Sequence, residues 1–351
     1  MNFIKKFVLK LLLIVILTNV FIISIYFFLK NEISKPIHSY KSDLVIDIVK
    51  GNNVRDIFEI FKNNNIINSK LVYYFAIYSV ENYVPKYGQY YIPKNLSILN
   101  ILDILNLGKV IQYKITIPEG LTTLETISRI NDNKLLTGKI NIEFFELEGL
   151  FLPETYYFNK GYTKDDLLNR MRNDMQKILD NYWNSRARNL PYKTKYDVLK
   201  MASIIESETG AEPEKKLIAS VFINRLNKNM KLQSDPTVIY GLEKINKNKI
   251  KKIKKSHLRI DHAWNTYTRK GLPQSPISNP SRSSIYAALN PFQTNYYYFV
   301  ADKNGGHLFA KSLIEHNKNI SYLKNNDLLK LNDNKSIFLN DNQLPSKKPV
   351  F

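Results

Sequence analysis

The sequence predicts an α+β protein with an N-terminal transmembrane helix, a small α+β unit and then a larger mixed α/β domain. Three observations lead to this interpretation. Residues Leu11–Leu29 carry no charge, residues 43–109 follow a strand, helix, helix, strand order, and helical periodicities alternate with short strand-like runs after residue 110. A length of 351 residues is sufficient for two domains besides an anchor.

The N-terminal apolar run is close to the roughly 20 residues that span a bilayer. Lys5, Lys6 and Lys10 precede it, and positive residues favour the cytoplasmic side. No small-residue cleavage site follows the run, which favours an uncleaved signal anchor. We therefore expect a single-pass protein of the cytoplasmic (inner) membrane, with the residues after the anchor facing the periplasm or cell exterior. Its segments are a cytoplasmic stub (residues 1–6), an anchor (7–29) and a linker (30–42).

The net charge of +20 suggests an anionic neighbour, although lysine is abundant throughout the chain and a compositional bias explains it equally well. A membrane anchor makes nucleic acid an unfavourable partner. The chain contains no cysteine, which excludes disulfides and thiolate chemistry. No histidine pair has the spacing of a known metal motif, so neither a metal nor another cofactor is expected. The lysine-rich segment 244–255 is predicted to be a solvated loop.

Residues 43–109 are predicted to form one compact unit. A strand at Leu44–Val49 is followed by a helix from Val54, a second helix capped by Ser69, a strand at Tyr90–Ile92 and a helix from Ser97 to Gly108. This order resembles a LysM-like glycan-binding module.

Residues 110–325 are predicted to form the catalytic domain, and residues 326–351 a polar tail. The predicted strands are Val110–Ile117 and a hairpin across Tyr296–Ala310, and a polar turn is predicted at Ser234–Pro236. The predicted helices follow Thr122 or Thr123, cover Leu167–Trp183 and Leu217–Leu226, follow Ser281 or Ser283, and cover Ser312–Tyr322.

The central stretch reads MASIIESETG, from Met201 to Gly210. Helical spacing places Glu206 on the apolar face with Leu199 and Ala202, while Glu208 should point elsewhere, towards water. A carboxyl group among apolar side chains resists ionisation, which prepares it to act as a general acid. The alternative is a helix that simply ends in two solvated glutamates.

Glycoside hydrolysis usually needs two carboxyl groups. Glu206 is the best candidate acid, and Asp235 and Glu154 are the candidate partners. The sequence does not predict how far apart these groups lie in space.

Several motifs occur in a characteristic order: LEGLFLPETYYF at Leu147–Phe158, MASIIESETG, VFINRL at Val221–Leu226, LQSDPTVIYGL at Leu232–Leu242, WNTY at Trp264–Tyr267, GLPQSPISNPS at Gly271–Ser281 and YYYFVADKNGGHLFAKSLIEHN at Tyr296–Asn317. Together they resemble the YceG-like family of endolytic murein (peptidoglycan) transglycosylases. The resemblance covers Asp43 to about Tyr322. Trp264 stands where the family tends to have tyrosine, and the lysine-rich insert before it is long.

The resemblance implies that Glu206 is the single catalytic acid and base. Cleavage of the bond between N-acetylmuramic acid and N-acetylglucosamine would leave 1,6-anhydromuramyl ends and terminate glycan elongation. The implied partners are peptidoglycan glycan strands, the cytoplasmic membrane and peptidoglycan synthases. Glu154 and Glu208 are candidates for substrate contact. For the residues that match the family's other motif positions, a role in sugar contact and a role in loop closure are both open. These residues are Gln233, Asp235, Thr237, Asn265, Tyr267, Ser278 and Asn279.

Two rival functions remain. One is a non-catalytic glycan-binding protein, which an intact Glu206 motif disfavours. The other is a hydrolytic muramidase that uses water, with Asp235 or Glu154 as the second carboxylate.

The charge pattern before the anchor yields a test of topology. A single cysteine introduced in the segment Asn325–Ser346 is expected to react with a membrane-impermeant thiol reagent in intact spheroplasts, because the native chain has no other thiol. Labelling that required lysis of the cells would contradict the predicted orientation.

Overall fold

The computed structural model describes residues 2–302 and 305–325, and these residues fall into two compact units. The first unit contains the chain up to Lys114 together with Leu135–Thr137 and Tyr157–Tyr162. The second contains Ile115–Lys134, Gly138–Tyr156 and the chain from Thr163 onward. The predicted polar tail at 326–351 lies outside the described residues.

The first unit begins with a long apolar helix, α1 (Asn2–Ser34). Within the described part of the chain, it is the one helix long and apolar enough to cross a membrane, and its most apolar window has a mean hydropathy of 2.7. The predicted anchor at 7–29 lies inside it. These properties are consistent with a single-pass membrane anchor.

The rest of the first unit follows the predicted strand, helix, helix, strand order. Strands β1 (Leu44–Ile48) and β2 (Gly88–Ile92) pair antiparallel and flank α2 (Val54–Asn63) and α3 (Lys70–Ser79), and α4 (Ile98–Leu107) follows. The predicted caps are confirmed, because Ser69 Oγ and Ser97 Oγ accept from helix N–H groups and Gly108 ends α4 in the left-handed conformation. Buried aromatic and aliphatic side chains fill the space between strands and helices, with Ile57, Phe61, Tyr73 and Tyr90 fully buried.

The second unit is mainly helical and contains the two-stranded sheet of β5 and β6, while β3 pairs with β4 in another two-stranded sheet. The strands are β3 (Tyr113–Thr116), β4 (Thr155–Phe158), β5 (Tyr298–Ala301) and β6 (His307–Ala310). The helices are α5 (Thr123–Asn131), α6 (Lys164–Asn184), α7 (Lys195–Glu208), α8 (Glu212–Asn227), α9 (Asp235–Asn246), α10 (Arg282–Leu289) and α11 (residues 313–325), with short 3₁₀ turns at Ile142–Glu146 and His257–Arg259.

Two predicted elements differ from the structure. The strand predicted at Val110–Ile117 is reduced to β3, because Val110 pairs alone with Tyr90 in an isolated bridge. The turn predicted at Ser234–Pro236 is the start of α9, with Pro236 in its first turn. Proline fits there because the first N–H groups of a helix have no partner within the helix.

The core of the second unit surrounds α7, whose side chains Val198, Leu199, Ala202 and Ile205 are almost fully buried. Helices α6, α8 and α10 pack around it. A capping box between Thr194 and Asp197 begins α7, and Thr209 leaves the helix in an extended conformation. The core therefore ends at the last turn of α7, which is the turn that holds Glu206.

Gly149 offers a test of how this core supports the proline-rich loop, residues Gly271–Ser281. Its φ is +77°, and an added Cβ would lie 2.6 Å from Pro276 Cγ. Gly271, with φ +84°, has open space around it and is the matched control. We expect Gly271→Ala to lower the free energy of unfolding by about 1–2 kcal/mol for its left-handed backbone. Gly149→Ala should lose about 1–3 kcal/mol more, because a rigid ring cannot move aside.

Urea unfolding of both variants measures this difference. Equal losses would show that the contact between Gly149 and Pro276 is loose.

Candidate active site

Glu206 lies in the last turn of α7, directly after the buried Ile205, and only 5% of its side chain is exposed. The predicted position on the apolar side of the helix is therefore confirmed. Its carboxyl oxygens, however, meet polar partners: Ser281 at the start of α10 and Lys215 in α8. The apolar surroundings expected from the sequence therefore do not include the carboxyl group of Glu206.

Ser281 holds one oxygen of this carboxylate. Its backbone N–H donates to Glu206 Oε2 at 2.8 Å, and its hydroxyl donates to the same oxygen. The serine is also the N-cap of α10, because its Oγ accepts from Ser284 N. A helix N-terminus is electropositive, which makes it a favourable place for a carboxylate. The cap of one helix therefore fixes the functional side chain of another.

Lys215 is the second partner, and only 2% of its side chain is exposed. Its Nζ lies 3.5 Å from Glu206 Oε1 and 3.0 Å from Glu212 Oε1. It also donates to Ser281 Oγ at 3.1 Å and to Ser283 Oγ at 2.8 Å. A buried ammonium group needs such partners, since an unpaired charge in a protein interior is strongly unfavourable.

The two oxygens of Glu206 are therefore not equivalent. Oε2 accepts two hydrogen bonds from Ser281, whereas Oε1 has the single, longer contact with Lys215. Oε1 is the oxygen with capacity left for another donor or acceptor.

Two further carboxylates accompany Glu206. Glu119 stands in the turn between β3 and α5, with Oε2 at 3.9 Å from Lys215 Nζ. Glu154 forms an ion pair with Arg282 in the first turn of α10. Burial raises the pKa of Glu119, and the charge of Glu206 raises it further against the lowering effect of Lys215. The centre is thus a group of carboxylates around one buried cation.

Gly120 allows the turn that positions Glu119. Its φ is +74°, its N–H donates to the carbonyl of Asn279, and a Cβ added there would lie 3.7 Å from Glu206 Cγ. Any other residue would be strained in this backbone conformation.

Glu208 points in a different direction from Glu206, as predicted, but the expectation that it faces water is wrong. Its Oε1 accepts from Ser234 Oγ at 2.5 Å, and the side chain lines a cavity of about 390 Å³. Burial raises the pKa of Glu208, and the nearby charge of Asp235 raises it further. Glu208 is turned towards the protein interior because Ser234, at the start of α9, and His307, in β6, lie on that side of α7.

The candidate residues at motif positions fall into two groups. Asp235, Tyr267 and Gln233 line the cavity beside Glu208, and the Tyr267 hydroxyl donates to Asp235 Oδ1 at 2.5 Å. Asp235 therefore lies with Glu208, and Glu154 lies with the charges around Glu206 and Glu119.

The other matching side chains are buried as well. Asn265 donates to the carbonyls of Leu258 and Ile260 and accepts from Tyr267 N. Asn279 Oδ1 accepts from the backbone N–H of Phe151 at 3.0 Å. For these two asparagines, the contacts favour loop closure over sugar contact. Thr237, in α9, and Ser278 are also buried.

A family model for the YceG-like family matches residues 46–322. The chain belongs to the YceG-like family. A protein from Bacillus subtilis (strain 168) named endolytic murein transglycosylase is 32% identical over 308 residues, which cover 79% of this chain and 84% of that protein.

A second protein of the same name, from Streptococcus pneumoniae serotype 2 (strain D39), is 27% identical over 333 residues, with 82% of this chain and 60% of that protein covered. The crystal structure of a putative YceG-like protein from Listeria monocytogenes superimposes with a TM-score of 0.50 at 28% identity, covering 79% of this chain and 99% of that one. The family resemblance inferred from the motifs is confirmed.

Sequence reasoning missed several residues of this YceG-like site. No motif singles out Glu119, the sequence marks Ser281 only as a possible helix cap, and Lys215 is one of 51 basic residues. A signal exists for Glu119, because Pro118 and Gly120, which are typical turn residues, stand on either side of it. For Lys215 the local signal is limited to Glu212, three residues earlier, since its other partners come from more distant positions.

The raised pKa of Glu208 makes stability depend on pH. The folded protein holds this proton more tightly than the unfolded chain, so stability falls as pH rises through the raised pKa. Glu208→Gln cannot ionise and should flatten this fall. Ser234→Ala removes a hydrogen bond that lowers the pKa and should steepen it.

Urea unfolding from about pH 4 to pH 8 measures the slopes, and each unit of pKa difference corresponds to about 1.4 kcal/mol. Identical slopes for the wild type and both variants would show that Glu208 titrates normally.

Proposed function

We propose that this chain is an endolytic murein transglycosylase, a lyase that cleaves the bond between N-acetylmuramic acid and N-acetylglucosamine within peptidoglycan strands. The observation that carries the proposal is Glu206, held by Ser281 and Lys215 with one oxygen still available. The family match and the names of the relatives support the same chemistry. Peptidoglycan is accordingly the proposed substrate.

The proposed reaction needs one carboxyl group in two roles. Glu206 first donates its proton to the oxygen that links the two sugars, and the bond from that oxygen to the muramyl anomeric carbon breaks. The muramyl 6-hydroxyl then attacks the same carbon and passes its proton back to Glu206. A 1,6-anhydro bond forms, the leaving sugar keeps the first proton, and no water is consumed.

The neighbouring groups have supporting roles in this scheme. Ser281 orients the carboxylate from Oε2, so that Oε1 faces the sugar oxygens. Lys215 acts as a positioning residue, because its charge stabilises the ionised carboxylate left after the first proton transfer. The charges of Glu206 and Glu154 both act on Glu119. In the hydrolytic alternative, Glu119 or Glu154 would activate a water molecule.

The remaining features concern location and partners. We infer that α1 anchors the protein in the cytoplasmic membrane, with residues after Leu29 in the periplasm or cell exterior. The 43–109 unit would bind glycan as a LysM-like module, and the 110–325 domain would cleave it. Cleavage beside peptidoglycan synthases would terminate the growth of nascent strands.

Substitution of each glutamate in α7 by glutamine tests the assignment of Glu206 as the catalytic acid and base. Glutamine keeps the shape of glutamate but cannot transfer a proton, so Glu206→Gln should lower turnover of purified peptidoglycan by at least ~10²–10⁴-fold while binding of glycan persists. Glu208→Gln is the matched control, because it makes the same change two residues away and should retain most of the activity.

Near-normal turnover by Glu206→Gln would contradict the assignment. A larger loss in Glu208→Gln than in Glu206→Gln would move the catalytic centre to the cavity that Glu208 lines.

A further inference from the structure

Helix α1 is longer than a bilayer requires. It has 33 residues, whereas about 20 are sufficient to cross the hydrocarbon core. Its exposed large apolar side chains extend from Phe3 to Phe28. Leu29 and Ile33, in contrast, are buried in the first unit. The last turns of α1 are therefore part of the folded unit, so the linker predicted at 30–42 is wrong for residues 30–34, which continue the helix.

A ring contact places helix α3 near the end of the apolar surface of α1. Tyr26 and Phe75 pack edge to face with their ring centroids 5.9 Å apart. Tyr26 precedes Lys30, the first charged residue after the apolar run. If the apolar part of α1 spans the hydrocarbon core, Phe75 must lie at the depth of the bilayer interface.

Helix α3, which carries Phe75, also has an exposed face of apolar and aromatic side chains. Leu71 is 65% exposed, Tyr74 47% and Tyr78 88%, and their spacing of three and four residues places them in one row beside Phe75. We call this row, Leu71, Tyr74 and Tyr78, the α3 ridge. Tyrosine side chains are enriched at the boundary between headgroups and acyl chains, where an apolar ring and a polar hydroxyl are both satisfied.

We propose that the α3 ridge inserts into the outer interface of the membrane that α1 crosses, so that the first unit lies directly on the lipid surface. The ridge is continuous with the lipid-facing surface of α1 through the pair of Tyr26 and Phe75. The inference goes beyond the proposed activity and rests on the proposed membrane anchoring. It would keep the glycan-binding unit close to the surface where new strands emerge.

Aromatic side chains in a glycan-binding unit also suggest stacking on sugars. The contact with α1 favours lipid, because a strand of sugar at the depth of Tyr26 would have to enter the interface. The test must therefore separate lipid contact from sugar contact.

The absence of cysteine from the native chain permits a direct measurement of depth. Single variants Tyr78→Cys, Tyr74→Cys, Val45→Cys and Ile14→Cys, each in the full chain, carry a nitroxide label after reconstitution into phosphatidylcholine–phosphatidylglycerol vesicles. Val45 is the matched control, because it is an apolar residue of the same unit that is 55% exposed on β1. Ile14 reports on the anchor itself.

Collision of each label with oxygen and with a water-soluble nickel complex gives its depth. We expect Ile14 to be deep, and we expect the two ridge positions to show nickel accessibility several-fold below that of Val45. If Ile14 is deep but the ridge labels match Val45, the lipid contact is wrong while the anchor stands. If Ile14 is exposed to nickel, both proposals are overturned.

Addition of soluble peptidoglycan fragments to the same vesicles distinguishes lipid contact from sugar contact at the α3 ridge. Unchanged ridge labels support lipid contact. Ridge labels that are open to nickel without fragments and become protected with them would assign the ridge to glycan and overturn the proposal.

Discussion

The buried ammonium group of Lys215 holds together the charged groups of the proposed catalytic centre. It connects the end of α7, the start of α8 and the start of α10 through Glu206, Glu212, Ser281 and Ser283. These partners come from three separate parts of the chain, so the helices must pack correctly before the charge is satisfied. Loss of a partner would leave a buried charge without compensation, which is among the most destabilising changes in a protein interior.

The same arrangement gives the two glutamates of α7 different surroundings. Glu206 accepts two hydrogen bonds from Ser281 at Oε2, and its Oε1 has only the longer contact with the ammonium group of Lys215. Glu208, two residues later, is bonded to Ser234 and faces Asp235, Tyr267 and the cavity. The difference follows from the rotation of a helix, which turns residues two apart towards different neighbours.

Local features of the chain were predictable from the sequence. Helix caps at Ser69, Ser97, Thr122 and Ser281 follow from side-chain hydrogen bonds within a few residues, and the apolar spacing of α7 places Glu206 at the core. Contacts between distant segments were not predictable. The burial of Lys215, the approach of Glu119 and the covering of Glu208 by α9 depend on tertiary packing, for which no local pattern exists.

The central claim is that Glu206 acts with the sugar's own hydroxyl and without water. Digestion of peptidoglycan by the wild-type protein in ¹⁸O-water, followed by mass analysis of the new muramyl ends, tests it most directly. The account predicts 1,6-anhydromuramyl ends that are lighter by one water than reducing ends and contain no ¹⁸O. Reducing ends that contain ¹⁸O would contradict it and would identify a hydrolase, with Glu119 or Glu154 as the second carboxylate.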